Sequence, residues 1–167
     1  MVKFTVFISH TNGASDMTVV KEMASQLKKI GVHPYIAEED RVPGSNLAEK
    51  IKNNINICDM AIGLWTKNAT NSKYVNQELG YFEGSGKPYF LFVENGVKPS
   101  GFAEGLEHIP FDSKDPAIGL NYVTDYMNKM KCDKENKEYW VMAIGIAVII
   151  LDVITSFLLL SRKKTDG

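Results

Sequence analysis

The chain has 167 residues, with 19 basic and 20 acidic side chains and a formal net charge of −1 at pH 7. Such a length allows one domain of ordinary size with one apolar core. Before residue 139 the balance is 16 basic against 18 acidic residues, which excludes a nucleic-acid footprint.

Residues 3–8, KFTVFI, read as a short strand that ends in Ser9-His10 and a Thr-Asn-Gly turn. Ser15 is placed to cap a helix whose apolar positions Val20, Met23, Leu27 and Ile30 keep a 3.6-type spacing, and Gly31 stops it. VHPYIA is a second strand, and Pro34 near its start assigns it to a sheet edge. EEDRVPG follows as a polar loop, and Ser45 opens the helix SNLAEKIKNNINIC. DMAIGLW is almost wholly apolar, the mark of a strand covered on both faces. Next come the amphipathic helix within NSKYVNQELGYFEGSG, the strand PYFLFVENG and a loop carrying Pro99 and Gly101. The strand HIPF and the helix DPAIGLNYVTDYMNKMK complete the domain.

This alternation predicts a parallel sheet with helices on both faces, an α/β architecture. Such sheets bind ligands at the carboxyl ends of their strands, beside the switch in strand order. The loops after residues 8, 36 and 65 are therefore the places to look. No GxGxxG and no Walker lysine motif is present, so neither dinucleotide binding of the Rossmann kind nor a P-loop is supported. Cys58 and Cys132 give neither a disulfide framework nor a metal-ligand spacing, so no metal is expected and a reducing compartment fits.

Residues 139–160, YWVMAIGIAVIILDVITSFLLL, are 22 residues with a single charge, Asp152. A bilayer core needs about 20 apolar residues as a helix, and Tyr139-Trp140 at one edge and SRKK at the other suit the two interfaces. The opening MVKFTVFISH holds no cleavable apolar stretch of sufficient length. The expectation is a single-pass C-terminal membrane anchor, with the preceding domain cytoplasmic. The organisation expected is a domain over 1–130, a charged linker over 131–138, the span over 139–160 and a basic tail over 161–167.

KFTVFISHTNGASD, AEEDRVPGSNLAEKI, CDMAIGLWT and NSKYVNQELGYFEGSGKP follow one another as in Toll/interleukin-1 receptor (TIR) domains. The likeness covers residues 3–130 and resembles most the prokaryotic kind, including the signal-producing proteins of Thoeris-type antiphage defence. It implies a flavodoxin-like five-stranded parallel sheet. It also implies cleavage of NAD+ at the nicotinamide–ribose bond, with NAD+ as substrate and no further cofactor. Products would be ADP-ribose or a cyclic isomer, acting as an antiviral signal that a downstream effector senses. The catalytic members resemble one another in a serine, an aromatic residue two positions on, and a glutamate four residues after the aromatic. Here these are Ser72, Tyr74 and Glu78, with Tyr where the family's motif has Trp.

The chemistry stands without the family. Most glycosidases need a second carboxyl group to protonate a poor leaving group. Nicotinamide in NAD+ is already cationic and leaves neutral, so one carboxylate that stabilises the oxocarbenium-like ribose suffices. Glu78 is the candidate for that role, against the alternative of a solvated helix glutamate. Tyr74 either stacks on a ring of the nucleotide or packs half-buried, and Ser72 either caps its helix or contacts a ribose. Phe7, Ser9 and His10 stand where the family's nucleotide pocket begins; His10 either bonds a phosphate or pins the loop. Trp65 is pocket wall or core. Arg41 lies in the loop equivalent to the family's BB loop, where it either meets the pyrophosphate or joins its acidic neighbours. The competing reading is a non-enzymatic module that recruits other TIR domains at the membrane. A phosphoacceptor regulator lacks its acidic cluster after the first strand, where Ser9 and His10 stand. Self-association through the domain and the span is expected in either of the first two cases.

Overall fold

The apolar MAIGLW run forms the middle of a parallel sheet. The computed structural model describes residues 3–36 and 47–165. Its strands are β1 (Phe4–Ser9), β2 (Val32–Ile36), β3 (Met60–Trp65), β4 (Tyr89–Glu94) and β5 (His108–Phe111). Its helices are α1 (Ala14–Lys29), α2 (Leu47–Ile57), α3 (Lys73–Ser85) and α4 (Ala117–Thr165), and a 3-10 turn at Gly101–Ala103 lies between β4 and β5. Among the described residues the strands form one sheet in the order β2-β1-β3-β4-β5, every pair parallel. The strand carrying Pro34 is an edge strand, where a missing ladder donor is tolerated.

Strand side chains alternate between faces, and two apolar clusters follow from that. Val6, Ile8, Ile62, Leu64 and Phe92 pack with α1 and with Leu120, Val123 and Met127 of α4. Phe7, Ala61, Trp65 and Leu91 pack with Ile51 and Ile55 of α2 and Val75, Leu79 and Phe82 of α3. Gly63, at the centre of β3, sets how near α3 can come. A Cβ there would lie 2.6 Å from Leu79 Cδ1 and 2.9 Å from Leu91 Cδ2, so a larger residue would push the helix from the sheet.

One boundary differs from the sequence reading, and one stretch has a form that reading left open. α1 begins at Ala14 with Gly13 as its N-cap and no capping side chain, so Ser15 lies inside the first turn. The carboxylate of Asp16, in the same turn, is engaged by side chains of the neighbouring loops, as described below. The charged stretch 131–138 is helical, part of the continuous α4, and its Lys134–Glu138 pair at 3.9 Å has the i, i+4 spacing that favours helix.

Residues Lys3–Lys131 form one compact unit, and Cys132 onward belongs to a second. In the second unit the residues of 139–160 are helical. Trp140, Ile144, Val148 and Leu151 are exposed apolar side chains. From 152 onward, Asp152 included, the side chains lie outside the described residues. Among the described residues no helix is long and apolar enough to cross a membrane, so the expected span rests on sequence alone.

Lys87 supplies a long-range tie. Its ammonium donates to the carbonyls of Ile55 and Asn56 at 2.8 Å and of Cys58 at 2.7 Å, ending α2 and fixing the approach to β4. A helix end leaves such carbonyls without intrahelical partners, and a cation there also suits the helix dipole. Lys87→Met keeps the apolar stem and removes the three donations. Loss of about 2–3 kcal/mol is expected, the scale of charge-assisted hydrogen bonds. Chemical denaturation checks this, and an unchanged midpoint would mean that the cap contributes nothing.

Candidate active site

The strand order reverses between β1 and β3, so the carboxyl ends of these two strands frame the crevice where open α/β sheets take ligands. β1 delivers Ser9 and His10 there, and β3 delivers Trp65 and Thr66. Register pairs Ser9 with Gly63, against which the Leu79 side chain of α3 packs.

α3 starts at Ser72, whose hydroxyl accepts from the Val75 N–H at 3.4 Å, and ends at Gly86 in the left-handed region at φ 67°. Ser72 is therefore the helix cap, and Gly86 provides the positive φ that glycine adopts at no steric cost. The helix buries Val75, Glu78, Leu79 and Phe82, one face at helical spacing. Glu78 thus points inward, 7% exposed. The Ser9 hydroxyl donates to Glu78 Oε2 at 2.6 Å, in a buried contact between residues 69 positions apart. A short hydrogen bond to a carboxylate in a place of low dielectric holds the group in one orientation.

Phe7 lies two residues before Ser9 and so on the same sheet face. Its ring stacks on Tyr35 at 5.6 Å and meets Phe82, one turn after Glu78, at 5.3 Å. Trp65 is fully buried in the same cluster. Phe7 and Trp65 both belong to the apolar cluster on which α3 packs. Tyr74 is 56% exposed on the outer side of α3. His10 is 6% exposed; its Nδ1 donates to the Thr11 carbonyl at 2.8 Å, and Nε2 has no hydrogen-bond partner among the described residues. The structure thus bonds Ser9 to Glu78 and packs Phe7 against Phe82, one turn along α3 from Glu78. Arg41 and the rest of its loop lie outside the described residues.

Sequence reasoning missed one polar centre. Asp16, 2% exposed, accepts from Thr11 Oγ1 at 2.5 Å and Thr66 Oγ1 at 2.9 Å. It also accepts from Ser15 and from Asn68, each at 3.3 Å. The loop after β1 and the loop after β3 are joined through it. On this side of the sheet a cleft of about 200 Å³ is lined by Asp16, Thr66, Lys67, Asn68, Glu94 and Ser113, among others. The available sequence signal was an aspartate in the first turn of a helix that lacks a capping side chain; its partners 50 and 52 residues away carry no local pattern.

Burial pushes the Cys58 thiol up to about 11, against the opposing influence of Lys87, so it stays protonated at neutral pH. Among the described residues no group of three or more His, Cys, Asp or Glu side chains is placed to hold a metal ion. What the carboxyl ends of β1 and β3 offer is one oriented, buried carboxylate, suited to stabilising a developing cation.

A family model described as TIR domain matches residues 6–120. The chain is similar to a protein of Brachypodium distachyon named probable 2' cyclic ADP-D-ribose synthase BdTIR. They are 24% identical over 115 residues, which cover 66% of this chain and 51% of that protein. The chain therefore spans about half the length of this curated relative. Among solved structures, the TIR domain of the Toll-related receptor TRR-2 from Hydra magnipapillata is similar with a TM-score of 0.60. It is 14% identical, over 73% of this chain and 96% of that one. A 2-deoxyribosyltransferase from Bacillus psychrosaccharolyticus gives a TM-score of 0.55 at 22% identity, over 73% and 91%. At these identities both structures speak for the fold alone.

Proposed function

The chain belongs to the TIR domain family, and on that premise we propose that it cleaves NAD+ at the nicotinamide–ribose bond with Glu78 as the catalytic carboxylate. The observation that carries this reading is the buried Glu78, held by Ser9 at the switch point of the sheet. As the C–N bond lengthens, the electron pair leaves with nicotinamide, which departs neutral. The positive charge passes to the ribose. A carboxylate already desolvated and oriented stabilises that charge without reorganising. Water then adds to the ribose carbon and releases a proton, giving ADP-ribose. Attack by a nucleophile of the bound molecule itself would give a cyclic isomer instead. The name of the Brachypodium distachyon relative supports the cyclic outcome.

The proposal extends to setting. Residues 139–160 anchor the chain in a membrane with the TIR domain on the cytoplasmic side. The product serves as a signal in antiviral defence, read by a separate effector. The primary test incubates the purified full chain with NAD+ and resolves the products by mass. ADP-ribose or an isomer of cyclic ADP-ribose, with equimolar nicotinamide, is expected. No product at any protein concentration would leave the domain an interaction module.

Assembly is part of the proposal, because the stretch EEDRVPG with Arg41, Val42 and Pro43, equivalent in sequence to the family's BB loop, and the anchor are both expected to meet other copies. Two domains held on one membrane meet at an effective concentration far above their bulk value. Specific activity should therefore rise steeply with protein concentration or with surface density on vesicles. A flat profile across a wide dilution series would count against assembly.

A further inference from the structure

Lysines gather at one corner of the domain, where α1 ends and β1 and β2 begin. Lys28 and Lys29 close α1, and both are exposed. The register that pairs Phe4 with Val32 sets Lys3 beside Gly31. Lys131 reaches the same point from α4. Its Nζ donates to the Ile30 carbonyl at 2.9 Å and lies 2.8 Å from where a Cβ on Gly31 would stand. A helix C-terminus favours a cation, and Lys131 meets that demand at the carbonyl. Lys28 and Lys29 remain, with no ion pair among the described residues. Of the carboxylates at this end of the sheet, Asp59 accepts from the Thr5 N–H at 2.8 Å. Glu83 lies near Tyr89 at the start of β4, and Glu107 precedes β5, both toward the opposite edge of the sheet. The same end carries Ile57, the last residue of α2, 66% exposed. Exposed ammonium groups together with an exposed apolar side chain suit a bilayer surface, the first for anionic headgroups and the second for the interface beneath them.

We propose that this amino-end face of the domain docks on anionic lipid headgroups, with Lys28, Lys29 and Lys131 as its contact residues. The proposal rests on the reading that residues 139–160 are a membrane anchor, and it adds a second contact with the same membrane. Tyr139 follows Lys131 by eight residues, a reach of at most about 28 Å however that stretch is arranged. An anchored chain therefore keeps the corner close to the surface. The polarity of the sheet gives the docking its consequence. All strands are parallel, so Ser9 and its partner Glu78 stand at the other end, roughly 17 Å along β1 from Phe4. Docking by the amino ends turns that carboxylate toward the solution that holds NAD+. Docking by the carboxyl ends would press it against lipid.

The test reconstitutes the full chain into vesicles of phosphatidylcholine alone and of phosphatidylcholine mixed with phosphatidylserine. Resistance to alkaline carbonate extraction reports the anchor. A water-soluble acylating reagent then labels lysine amines, and peptide masses give the rate at each position. Lys28 and Lys29 should react about fivefold more slowly on the anionic vesicles, the effect of one lysine's attraction to such a surface. High salt should remove the difference. Lys67 and Lys114, exposed beyond the carboxyl ends of β3 and β5, are the reference and should keep their rates. In the double variant Lys28→Gln/Lys29→Gln, which alters exposed positions only, the lipid effect at Lys131 should disappear. Equal rates at Lys28 and Lys29 on the two kinds of vesicle, in a chain that resists carbonate, overturn the docking and leave the anchor standing. Equal slowing at Lys67 and Lys114 also overturns it, because the domain then has no preferred face. A lipid effect at Lys131 that persists in the double variant overturns the assignment of Lys28 and Lys29. Release by carbonate from both vesicles overturns the anchor reading, and this inference with it.

Discussion

Replacing Glu78 by Gln is expected to lower NAD+ turnover by at least about 10²-fold, the scale of a single electrostatic stabiliser, with a melting temperature close to that of the unaltered chain. The two effects separate because Gln keeps the shape and an acceptor oxygen for the Ser9 hydroxyl at the 2.6 Å contact. What it removes is the charge that faces the developing oxocarbenium ion. Burial strengthens the expectation, since a charge in a medium of low dielectric interacts more strongly with a nearby cation than one in water. Ser9→Ala is an internal control. It leaves the carboxylate charged but less firmly oriented, so a smaller fall of about tenfold is expected, the scale of one hydrogen bond. Wild-type turnover in Glu78→Gln, or a larger loss in Ser9→Ala than in Glu78→Gln, would remove Glu78 from the chemistry.

The fold was legible where local pattern and burial agree. The unbroken apolar run at 60–65 reads as a strand covered on both faces, and β3 is buried along its whole length. Pro34 reads as an edge marker, and β2 is an edge strand. Gly31 reads as a helix stop, and it takes φ 73° directly after the last turn of α1. The site was less legible. Spacing alone puts Tyr74 and Glu78 on one helix face, yet Tyr74 is exposed and Glu78 is buried. Both lie on the same margin of the stripe formed by Val75, Leu79 and Phe82, Glu78 next to it and Tyr74 one step farther round the helix, and burial ends between them. A sequence shows the stripe but not how far round the helix its cover reaches. The bond from Ser9 to Glu78 joins residues 69 positions apart and depends on the close approach that Gly63 permits. Nothing local announces it.

Asp16 shows the same limit, and it carries the other large expected effect. Asp16→Ala should destabilise the protein by about 2–4 kcal/mol, the cost of leaving several buried donors without an acceptor. For a domain of this size that corresponds to a fall in Tm of roughly 5–15 °C. The argument follows from the partners. Thr66 is itself buried, and its hydroxyl donates to Asp16 Oδ2 at 2.9 Å. Thr11 donates to the same oxygen, and Asn68 reaches the other at 3.3 Å. Truncation to Ala strands these donors and opens the link between the loops after β1 and β3. Asp16→Asn distinguishes loss of the acceptor from loss of packing. Its amide oxygen can still receive the two threonine hydroxyls, but its NH2 would face the NH2 of Asn68, so an intermediate loss is expected. Those loops carry His10 and follow Trp65, so NAD+ turnover should fall in Asp16→Ala even well below its melting temperature, where the population is folded. Thermal unfolding of the three proteins, followed by assays at a temperature where each is native, makes the comparison. An Asp16→Ala protein that melts with the unaltered chain would show the buried carboxylate to be dispensable. One that is destabilised yet fully active would confine Asp16 to stability and separate it from the site.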